Sequence, residues 1–300
     1  MLTVVIPATD LPLTLDRCLA ALERCTEPHE VEVVSGPAGS GPAAARNAGV
    51  ARGGGEIVVF VDADVEVHPD ALRRLRERLD ADPDLAAVFG AYDEHPWAPQ
   101  AVSRFRNLLH HHVHVGAPGP AATFWAGLGA IRREAFDGVG GFDERRYARP
   151  SIEDVELGMR LHAAGRRIAL DPAVQGTHLK RWTLRSMLRT DFASRGVPWV
   201  TLALERGSAG TTLNVAPRQR LAAGAALLVV GALVLRRPRA ASAAAVAMMA
   251  LNVDFYRLLR RQGGMRLMLV GVPLHLLHHL CAALSVPAGA ALWAARGGRA

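Results

Sequence analysis

The chain has 300 residues, of which 50% are hydrophobic, so it can form a sizeable α/β domain with an appended segment, and extended disorder is excluded. Its formal net charge is +7, yet residues 211–300 hold 11 arginines against one acid, Asp254, so the basic excess lies in the last third of the chain. Because these arginines are interleaved with long apolar runs, the pattern indicates lipid headgroups as their partner and not a nucleic-acid groove.

Cysteine use and the N-terminus indicate a reducing compartment. The three cysteines, Cys18, Cys25 and Cys281, form no CxxC pair and show no spacing typical of a disulfide framework. The first residues, MLTVVIPA, lack the basic region and the length of a signal peptide. We therefore expect residues 1–210 to lie in the cytoplasm.

The first 61 residues predict a β-α-β-α-β order. Short β-branched runs at 3–6, 31–34 and 57–61 are separated by helical patterns near 14–25 and 42–52. This alternation is typical of a parallel sheet with covering helices.

Further elements follow along the same domain. A helix is expected from about Pro69 to Leu79 and a strand near 85–92. Residues 93–120, which contain HPWAPQ and APGPAA, are expected to be irregular or loosely helical.

The stretch PSIEDVELGMRLHAAG predicts one more helix. Ser151 with Asp154 three residues later is typical of a capping box, and Gly165 predicts the helix end.

The last third contains three apolar runs, at 221–235, 240–256 and 267–295. The last run is long enough to span a bilayer, whereas the first two, at 15 and 17 residues, are marginal. Arg218 and Arg220 fit a cytoplasmic flank, but the arginines at 236–239 conflict with a simple loop on the far side. We expect residues 1–210 to form the enzyme domain and residues 211–300 a membrane-associated helical region with one to three spans. Either the first two apolar segments form a shallow hairpin or interfacial helices, or the orientation of the region departs from the positive-inside rule.

A glycine-rich stretch offers a misleading match. VEVVSGPAGSGPAA places Gly39, Gly41 and Ala44 in G-x-G-x-x-A spacing between a strand and a helix, with Asp62 about 20 residues further on, as in a dinucleotide-binding fingerprint. The gap after the strand is long for a tight turn, and Pro42 lies inside it. A flexible loop is the better interpretation, and a dinucleotide-dependent oxidoreductase remains a third alternative.

IVVFVDADVEV places two carboxylates, Asp62 and Asp64, where an apolar strand ends. Open α/β sheets bind their ligands at this edge. Like charges this close raise each other's pKa unless a cation compensates, and hard oxygen ligands suit Mg²⁺ or Mn²⁺ shared with a substrate phosphate. The alternative is a solvated loop in which Asp64 acts as a cap.

Several stretches together resemble the family 2 glycosyltransferases, which are inverting, use nucleotide sugars and have the GT-A fold. The matching residues are VVIPATD (4–10), ARNAGVARGGGEIVVFVDADV (45–65), GGFDE (140–144), EDVELGMRLHAAG (153–165) and HLKRW (178–182). They occur in the family's order over about the first 200 residues.

The resemblance implies a role for each matching residue. Asp64 would coordinate a Mg²⁺ or Mn²⁺ ion, Asp62 would contact the metal and the nucleotide, and His178, where the family has Gln, is assigned to the metal shell. Asp154 would be the catalytic base. The remaining implied contacts are to the nucleotide sugar from Pro7, Asp10, Arg46 and Arg181, and to the acceptor from Trp125, Asp143, Glu153 and Trp182.

The proposed base has a structural alternative. Acids in a first helical turn are often caps favoured by the helix dipole, and this alone would explain Glu153 or Asp154. A helix N-terminus also lowers the pKa of a carboxylate, so burial or the acceptor must offset this effect for Asp154 to act as a base.

Two groups of histidines lie outside these motifs. His110–His112 with His114 cannot all converge on one tetrahedral ion without a matching partner set. His275, His278 and His279 share one side of a helix in the last apolar run, where polar groups are costly, and they are expected near phosphate headgroups or at the membrane interface.

The sequence thus predicts a GT-A nucleotide-diphospho-sugar transferase fold, a Rossmann-like mixed sheet, followed by C-terminal membrane helices. The expected activity is a metal-dependent, inverting hexosyl transfer from a nucleotide-diphosphate sugar to a hydroxyl acceptor, lipid-linked or polysaccharide, at the cell membrane with the catalytic domain in the cytoplasm. The second strand ends in SGPAGSGP where relatives carry an acidic stretch. That departure favours the main alternative, a membrane-anchored binding or scaffold module with the same fold and no chemistry.

Overall fold

A computed structural model describes residues 1–9, 13–35, 41–207 and 216–298. The strands are β1 (Leu2–Pro7), β2 (His29–Val34), β3 (Ile57–Val61), β4 (Val65–Val67), β5 (Leu85–Tyr92), β6 (Gly119–Ala121), β7 (Leu128–Arg132) and β8 (Arg167–His178). The helices are α1 (Leu15–Glu23), α2 (Pro42–Arg52), α3 (Ala71–Asp80), α4 (Ala101–Val115), α5 (Arg133–Gly138), α6 (Glu153–Ala163), α7 (Leu184–Arg189), α8 (Val197–Glu205), α9 (Pro217–Val234), α10 (Pro238–Leu251) and α11 (Val253–Ala295). A π-helical segment at Thr190–Gly196 joins α7 to α8.

These strands form one mixed sheet in the order β2-β1-β3-β7-β5-β8-β4, with β6 paired to β8. Strand β1 pairs in parallel with β2 and β3, which confirms the β-α-β-α-β prediction, whereas β7 runs antiparallel between β3 and β5. Because Leu128 pairs with Val61, the segment that enters β7 lies at the carboxyl end of β3.

The central strands are buried on both faces, so their sequences are continuous apolar runs and do not alternate. Phe60 of β3 is fully buried, and its ring packs against Phe124, Phe136 and Phe142 at centroid distances of 6.3, 5.7 and 5.2 Å. Aromatic contacts of this kind add to the burial energy of the rings. The sheet edge that follows β3 therefore rests on a rigid core.

The described chain divides into two compact units, 1–98 with 114–180 and 99–113 with 181–300. The first unit holds the sheet. The second contains α7 to α11 and a core that includes Phe105, Phe255 and Leu259. The predicted domain boundary at residue 210 stays a prediction.

Two helices of the second unit, α9 and α11, are long and apolar enough to cross a membrane, with 18 and 43 residues. Helix α10 is apolar but shorter. Helix α11 is interrupted at Gly263 and Gly264, whose backbone angles are not helical.

The histidines of α11 lie inside the second unit. His275 and His279 are 0% and 2% exposed. His275 Nδ1 is 3.1 Å from the Tyr256 hydroxyl, and His278 Nδ1 is 2.8 Å from Asp191 Oδ2. The partners of these histidines thus lie within the helical core of the second unit. The position of the histidines relative to headgroups or a membrane interface stays a prediction.

Two local predictions need correction. Residues 101–115 form a regular helix, since Phe105, Leu108 and Leu109 share one buried face. Helix α6 begins at Glu153 after Ile152 without a side-chain cap, so the capping box at Ser151 is wrong. The predicted end of α6 is confirmed, because Gly165 has φ +74°.

Gly158 lets α6 approach the chain that leads into β7. A Cβ at this position would lie 2.1 Å from the Phe124 nitrogen and 2.5 Å from the Thr123 carbonyl carbon. Both atoms belong to the backbone, so they cannot rotate away. The first turn of α6, with Glu153 and Asp154, is thereby held next to this segment.

We expect Gly158→Ala to lower the free energy of unfolding by roughly 1–3 kcal/mol, because the added methyl group overpacks the α6 contact. The measurement is the melting temperature of the purified full chain. Gly138→Ala is the matched control in a helix, since a Cβ at Gly138 meets no atom within 4 Å. Equal melting temperatures for the two variants would contradict the close packing.

Candidate active site

The two acids that follow β3 lie in a tight turn between β3 and β4. Val65 N donates to Asp62 O at 2.9 Å, which closes the turn over Ala63 and Asp64. Ala63 is 5% exposed and belongs to the core, whereas the side chains of Asp62 and Asp64 are 32% and 23% exposed. Both carboxylates are therefore partly buried at the sheet edge and not splayed into solvent.

Contacts from several elements fix the backbone of this turn. Asp62 N donates to Gly127 O at 3.1 Å, Leu179 N donates to Asp64 O at 2.8 Å, and the Thr14 hydroxyl donates to Ala63 O at 2.9 Å. The parts of the chain that precede β7, follow β8 and precede α1 thus position the acids.

A buried arginine compensates the first acid. Arg46 Nη2 donates to Asp62 Oδ1 at 2.7 Å and Nη1 donates to Glu153 Oε1 at 2.9 Å, while its guanidinium lies 5.4 Å from the centroid of the Phe142 ring. The Arg46 and Glu153 side chains are 5% and 7% exposed. Burial raises the pKa of Asp62, Arg46 opposes this effect, and the neighbouring charge of Asp64 adds to it.

The second acid faces different basic side chains. Asp64 Oδ2 lies 3.6 Å from His178 Nε2 and 3.9 Å from Lys180 Nζ. Burial alone would raise the pKa of Asp64, but His178 and Lys180 outweigh it and hold that pKa below its ordinary value. The structure therefore answers why a buried strand ends in two like charges, since each acid has its own basic partners.

His178 is held in place by aromatic rings. Its imidazole stacks on Tyr92 with centroids 4.1 Å apart and an interplanar angle of 11°, and Tyr92 meets the ring of Trp125 edge-on at 4.9 Å. His178 is 6% exposed. Because Tyr92 ends β5, the orientation of the imidazole is set by the sheet.

The proposed base lies beside the same turn. Ala126 N donates to Asp154 Oδ2 at 3.2 Å, and the next residue, Gly127, accepts from Asp62 N. Asp154 also accepts at Oδ1 from Val155 N at 2.8 Å, as an acid in a first helical turn can. Asp62 and Asp154 are thus connected to consecutive residues of one segment, although they lie 92 residues apart in the chain.

The donor set near Asp64 suits a hard divalent cation. A carboxylate oxygen and an imidazole nitrogen 3.6 Å apart can close onto one ion, and Mg²⁺ or Mn²⁺ held by few protein ligands takes phosphate oxygens of a substrate as well. Among the described residues, no group of three or more His, Cys, Asp or Glu side chains is already arranged around an ion position. The fit is therefore to an ion shared with a bound phosphate.

Other predicted site residues are placed around this centre. Pro7 ends β1 at the same sheet edge and is buried, Trp125 precedes β7, and Asp143 is exposed and accepts from Arg146 N at 3.0 Å. Asp10 lies outside the described residues, as does Gly39 of the glycine-rich stretch. The acceptor role of Glu153 stays a prediction, and its burial against Arg46 favours a structural role.

Two predicted residues belong to the second unit. Arg181 is exposed. Trp182 is 6% exposed, with the Arg106 guanidinium 5.6 Å from its ring centroid. The contacts of Arg181 with the donor and of Trp182 with the acceptor stay predictions. The burial of Trp182 weighs against direct contact of its ring with the acceptor.

Sequence reasoning missed two residues of the site. Lys180 lies inside the HLKRW stretch. Its position two residues after His178 was a signal that could have identified it, because alternate residues of an extended segment lie on the same side. Tyr92 is the last residue of an apolar strand, LAAVFGAY, which indicates only a core position. Its stacking depends on the register between β5 and β8, which no local pattern specifies.

The chain is similar to known glycosyltransferases. Residues 3–140 match the family model described as glycosyl transferase family 2. Two curated relatives, each a pre-mycofactocin glycosyltransferase from a Mycobacterium tuberculosis strain, are 31% identical over 166 residues. The match covers 53% of this chain and 34% of each relative, so it spans about a third of their length.

The fold has counterparts among solved structures. The mannosyltransferase PcManGT from Pyrobaculum calidifontis, solved in complex with GDP-Man and Mn²⁺, matches with a TM-score of 0.56 and 19% identity over 95% of this chain and 86% of that protein. The mixed sheet thus has the GT-A fold, as the sequence predicts, and apolar helices follow it in the chain.

We expect Arg46→Met to lower the free energy of unfolding by about 3–5 kcal/mol, because it leaves the buried Glu153 carboxylate unpaired. Adding Glu153→Gln should restore part of the loss, since it removes that charge. Urea unfolding followed by circular dichroism measures both.

The control for this loss is Arg73→Met, which breaks the exposed pair with Glu77 and should cost at most about 1 kcal/mol. Similar losses at Arg46 and Arg73, or no recovery in the double variant, would show that the buried bridge does not stabilise the turn.

Proposed function

We propose that this chain, whose residues 3–140 match the model of glycosyl transferase family 2, transfers a sugar from a nucleotide-diphosphate sugar to a hydroxyl group of an acceptor, with inversion at the anomeric carbon. The observation that carries this proposal is the connection of Asp62 and Asp154 to consecutive residues, Gly127 and Ala126. In this proposal the turn of Asp62 and Asp64, joined to Gly127, takes the donor phosphates, and Asp154, joined to Ala126, takes the acceptor hydroxyl.

In the proposed step, Asp154 accepts the proton of the acceptor hydroxyl as its oxygen forms a bond to the anomeric carbon. The bond from that carbon to the phosphate oxygen breaks, and its electron pair leaves with the nucleoside diphosphate. The base and the leaving group act on opposite faces of the sugar, which gives inversion. A positioned base contributes about 10²–10⁴ in rate.

Charge on the departing diphosphate needs a basic counterpart. Lys180 Nζ, which lies beside Asp64 and is half exposed, supplies one donor for phosphate oxygens. Asp64 and His178 would hold a Mg²⁺ or Mn²⁺ ion, which supplies Lewis-acid stabilisation of the leaving group when bound. The Mn²⁺ and GDP-Man named with the Pyrobaculum structure support a divalent metal and a nucleotide sugar for this chain as well.

The acceptor is proposed to be delivered at the membrane. Helices α9 and α11 are candidate spans, and large apolar side chains such as Leu228 and Val234 are 66% and 75% exposed. Anchoring an enzyme at the bilayer raises its effective concentration toward a lipid-linked or membrane-bound acceptor. We place the catalytic unit on the cytoplasmic side, where nucleotide sugars are available. The three cysteines, which show no disulfide spacing, fit this reducing compartment.

We expect Asp154→Asn to reduce turnover by about 10²–10⁴-fold, since an amide cannot accept the acceptor proton. Asp64→Asn should cause a loss of similar size, because it removes the charged ligand of the proposed metal ion that binds the donor phosphates. Turnover is read as nucleoside diphosphate released during incubation of the full chain with a panel of nucleotide sugars and membrane extract.

The control for both variants is Asp137→Asn, an exposed acid in α5 that should leave turnover unchanged. Circular dichroism checks that each variant is folded. Retained turnover in both Asp154→Asn and Asp64→Asn would refute these assignments, and metal-dependent donor binding without any turnover in the native chain would favour a binding module.

Metal removal should stop the reaction. We expect chelation with EDTA to abolish turnover and Mn²⁺ or Mg²⁺ to restore it, with His178→Ala needing more metal than the native chain because it removes one ligand. Calorimetric titration of Mn²⁺ in the presence of nucleoside diphosphate measures the binding directly. His162→Ala, at an exposed position of α6, is the control, and full turnover after chelation would contradict the metal assignment.

A further inference from the structure

The first segment of α11 presents a basic face to its surroundings. Arg257, Arg260 and Arg261 are exposed, whereas Phe255 and Leu259 on the other side are buried in the core of the second unit. The exposed positions recur at helical spacing, so they share one face. They line an open groove of about 540 Å³ together with Asp254.

The groove has a net positive charge. Asp254 Oδ1 accepts from Arg257 Nη1 at 2.9 Å, and Asp254 Oδ2 lies 3.6 Å from Arg218 Nη2. Asp254 thus contacts two arginines, and two more, Arg260 and Arg261, line the same groove. The charge pattern suits an anion.

The exposed surface of α11 changes character after Arg266, which is itself exposed. Residues 267–295 contain no Asp, Glu, Lys or Arg, and the large side chains exposed there are apolar, among them Leu269 at 60% and Leu284 at 52%. This run is about 43 Å long at 1.5 Å per residue, which is enough for the hydrocarbon core of a bilayer. The basic face therefore ends where a lipid-facing surface begins.

Helix α9 shows the same order. Arg218 and Arg220 lie in its first turn, and exposed apolar residues follow from Leu221 to Val234. The Arg218–Asp254 contact places this first turn beside the start of α11. Arginines from two helices thus lie at one level, directly before two apolar surfaces.

We propose that the Arg257–Arg260–Arg261 groove binds the phosphate of anionic phospholipid headgroups, which fixes the depth of the second unit at the membrane surface. The occupant is a lipid and not a soluble anion, because exposed apolar side chains flank the groove along α11, Val253 before it and Met265 after it, and acyl chains would cover them. This inference rests on the membrane association proposed above.

Lipid retention by the purified full chain tests the inference. The chain is reconstituted in detergent micelles that contain phosphatidylglycerol or phosphatidylcholine, and bound lipid is counted by mass spectrometry after gel filtration. We expect preferential retention of phosphatidylglycerol that weakens at high ionic strength. The triple variant Arg257→Gln, Arg260→Gln, Arg261→Gln should lose this preference by about tenfold or more.

The matched control is Arg73→Gln, Arg74→Gln, Arg76→Gln, which removes the same charge from solvent-facing positions of α3 and should retain the native preference. Equal retention of both lipids by the native chain, or an unchanged preference in the triple variant, overturns the inference. Displacement of phosphatidylglycerol by inorganic phosphate also overturns it, because the groove would then bind a soluble anion. Flotation of the native chain with vesicles of the same two lipids separates this inference from the membrane association on which it rests. A chain that binds vesicles of neither lipid refutes the membrane association itself, whereas binding without preference refutes only the headgroup groove.

Discussion

The candidate site depends on one buried cation. The Arg46 guanidinium lies between the carboxylates of Asp62 and Glu153, at 2.7 and 2.9 Å, and is nearly inaccessible to solvent. Without it, Asp62 would face the charge of Asp64 two residues away with little solvent to screen the repulsion. Arg46 thus compensates the first acid from inside the protein, whereas Asp64 lies beside His178 and Lys180. The two acids therefore differ in their nearest partners.

Sheet topology brings these groups together. The carboxyl ends of β1 and β3 lie at one edge because the strands are parallel, and the antiparallel β7 begins at that edge. A segment with a tight approach to α6, permitted by Gly158, then holds Asp154 beside the turn of Asp62. The sheet and its connecting segments thus position the carboxylates of the candidate site through hydrogen bonds to the backbone.

The sequence predicts the parts of this structure that local chemistry determines. Apolar runs locate β1, β3 and β5. The DAD stretch locates the sheet edge at which the candidate site lies. Partners distant in sequence were not predictable: Glu153 lies 107 residues from Arg46, and the stacking of Tyr92 on His178 requires the β5–β8 register. The helix at 101–115 was missed because its histidines and flanking prolines obscured the spacing of Phe105, Leu108 and Leu109. The capping box failed because Glu153, not Asp154, turns back to the backbone, where it accepts from Ser151 N.

The second unit reverses the usual distribution of polarity along its long helix. The histidines of α11 turn inward, where His275 meets Tyr256, and His278 meets an Asp191 that is already paired with Arg106 at 2.9 Å. After Arg266, the large exposed side chains of α11 are apolar. In water this arrangement would expose hydrophobic area and bury ionised groups, both of which are unfavourable. In a bilayer the same arrangement is favourable, because lipid covers the apolar surface and the buried pairs satisfy polar groups that lipid cannot. The internal partners of these histidines are thus an argument for membrane association that is independent of helix length.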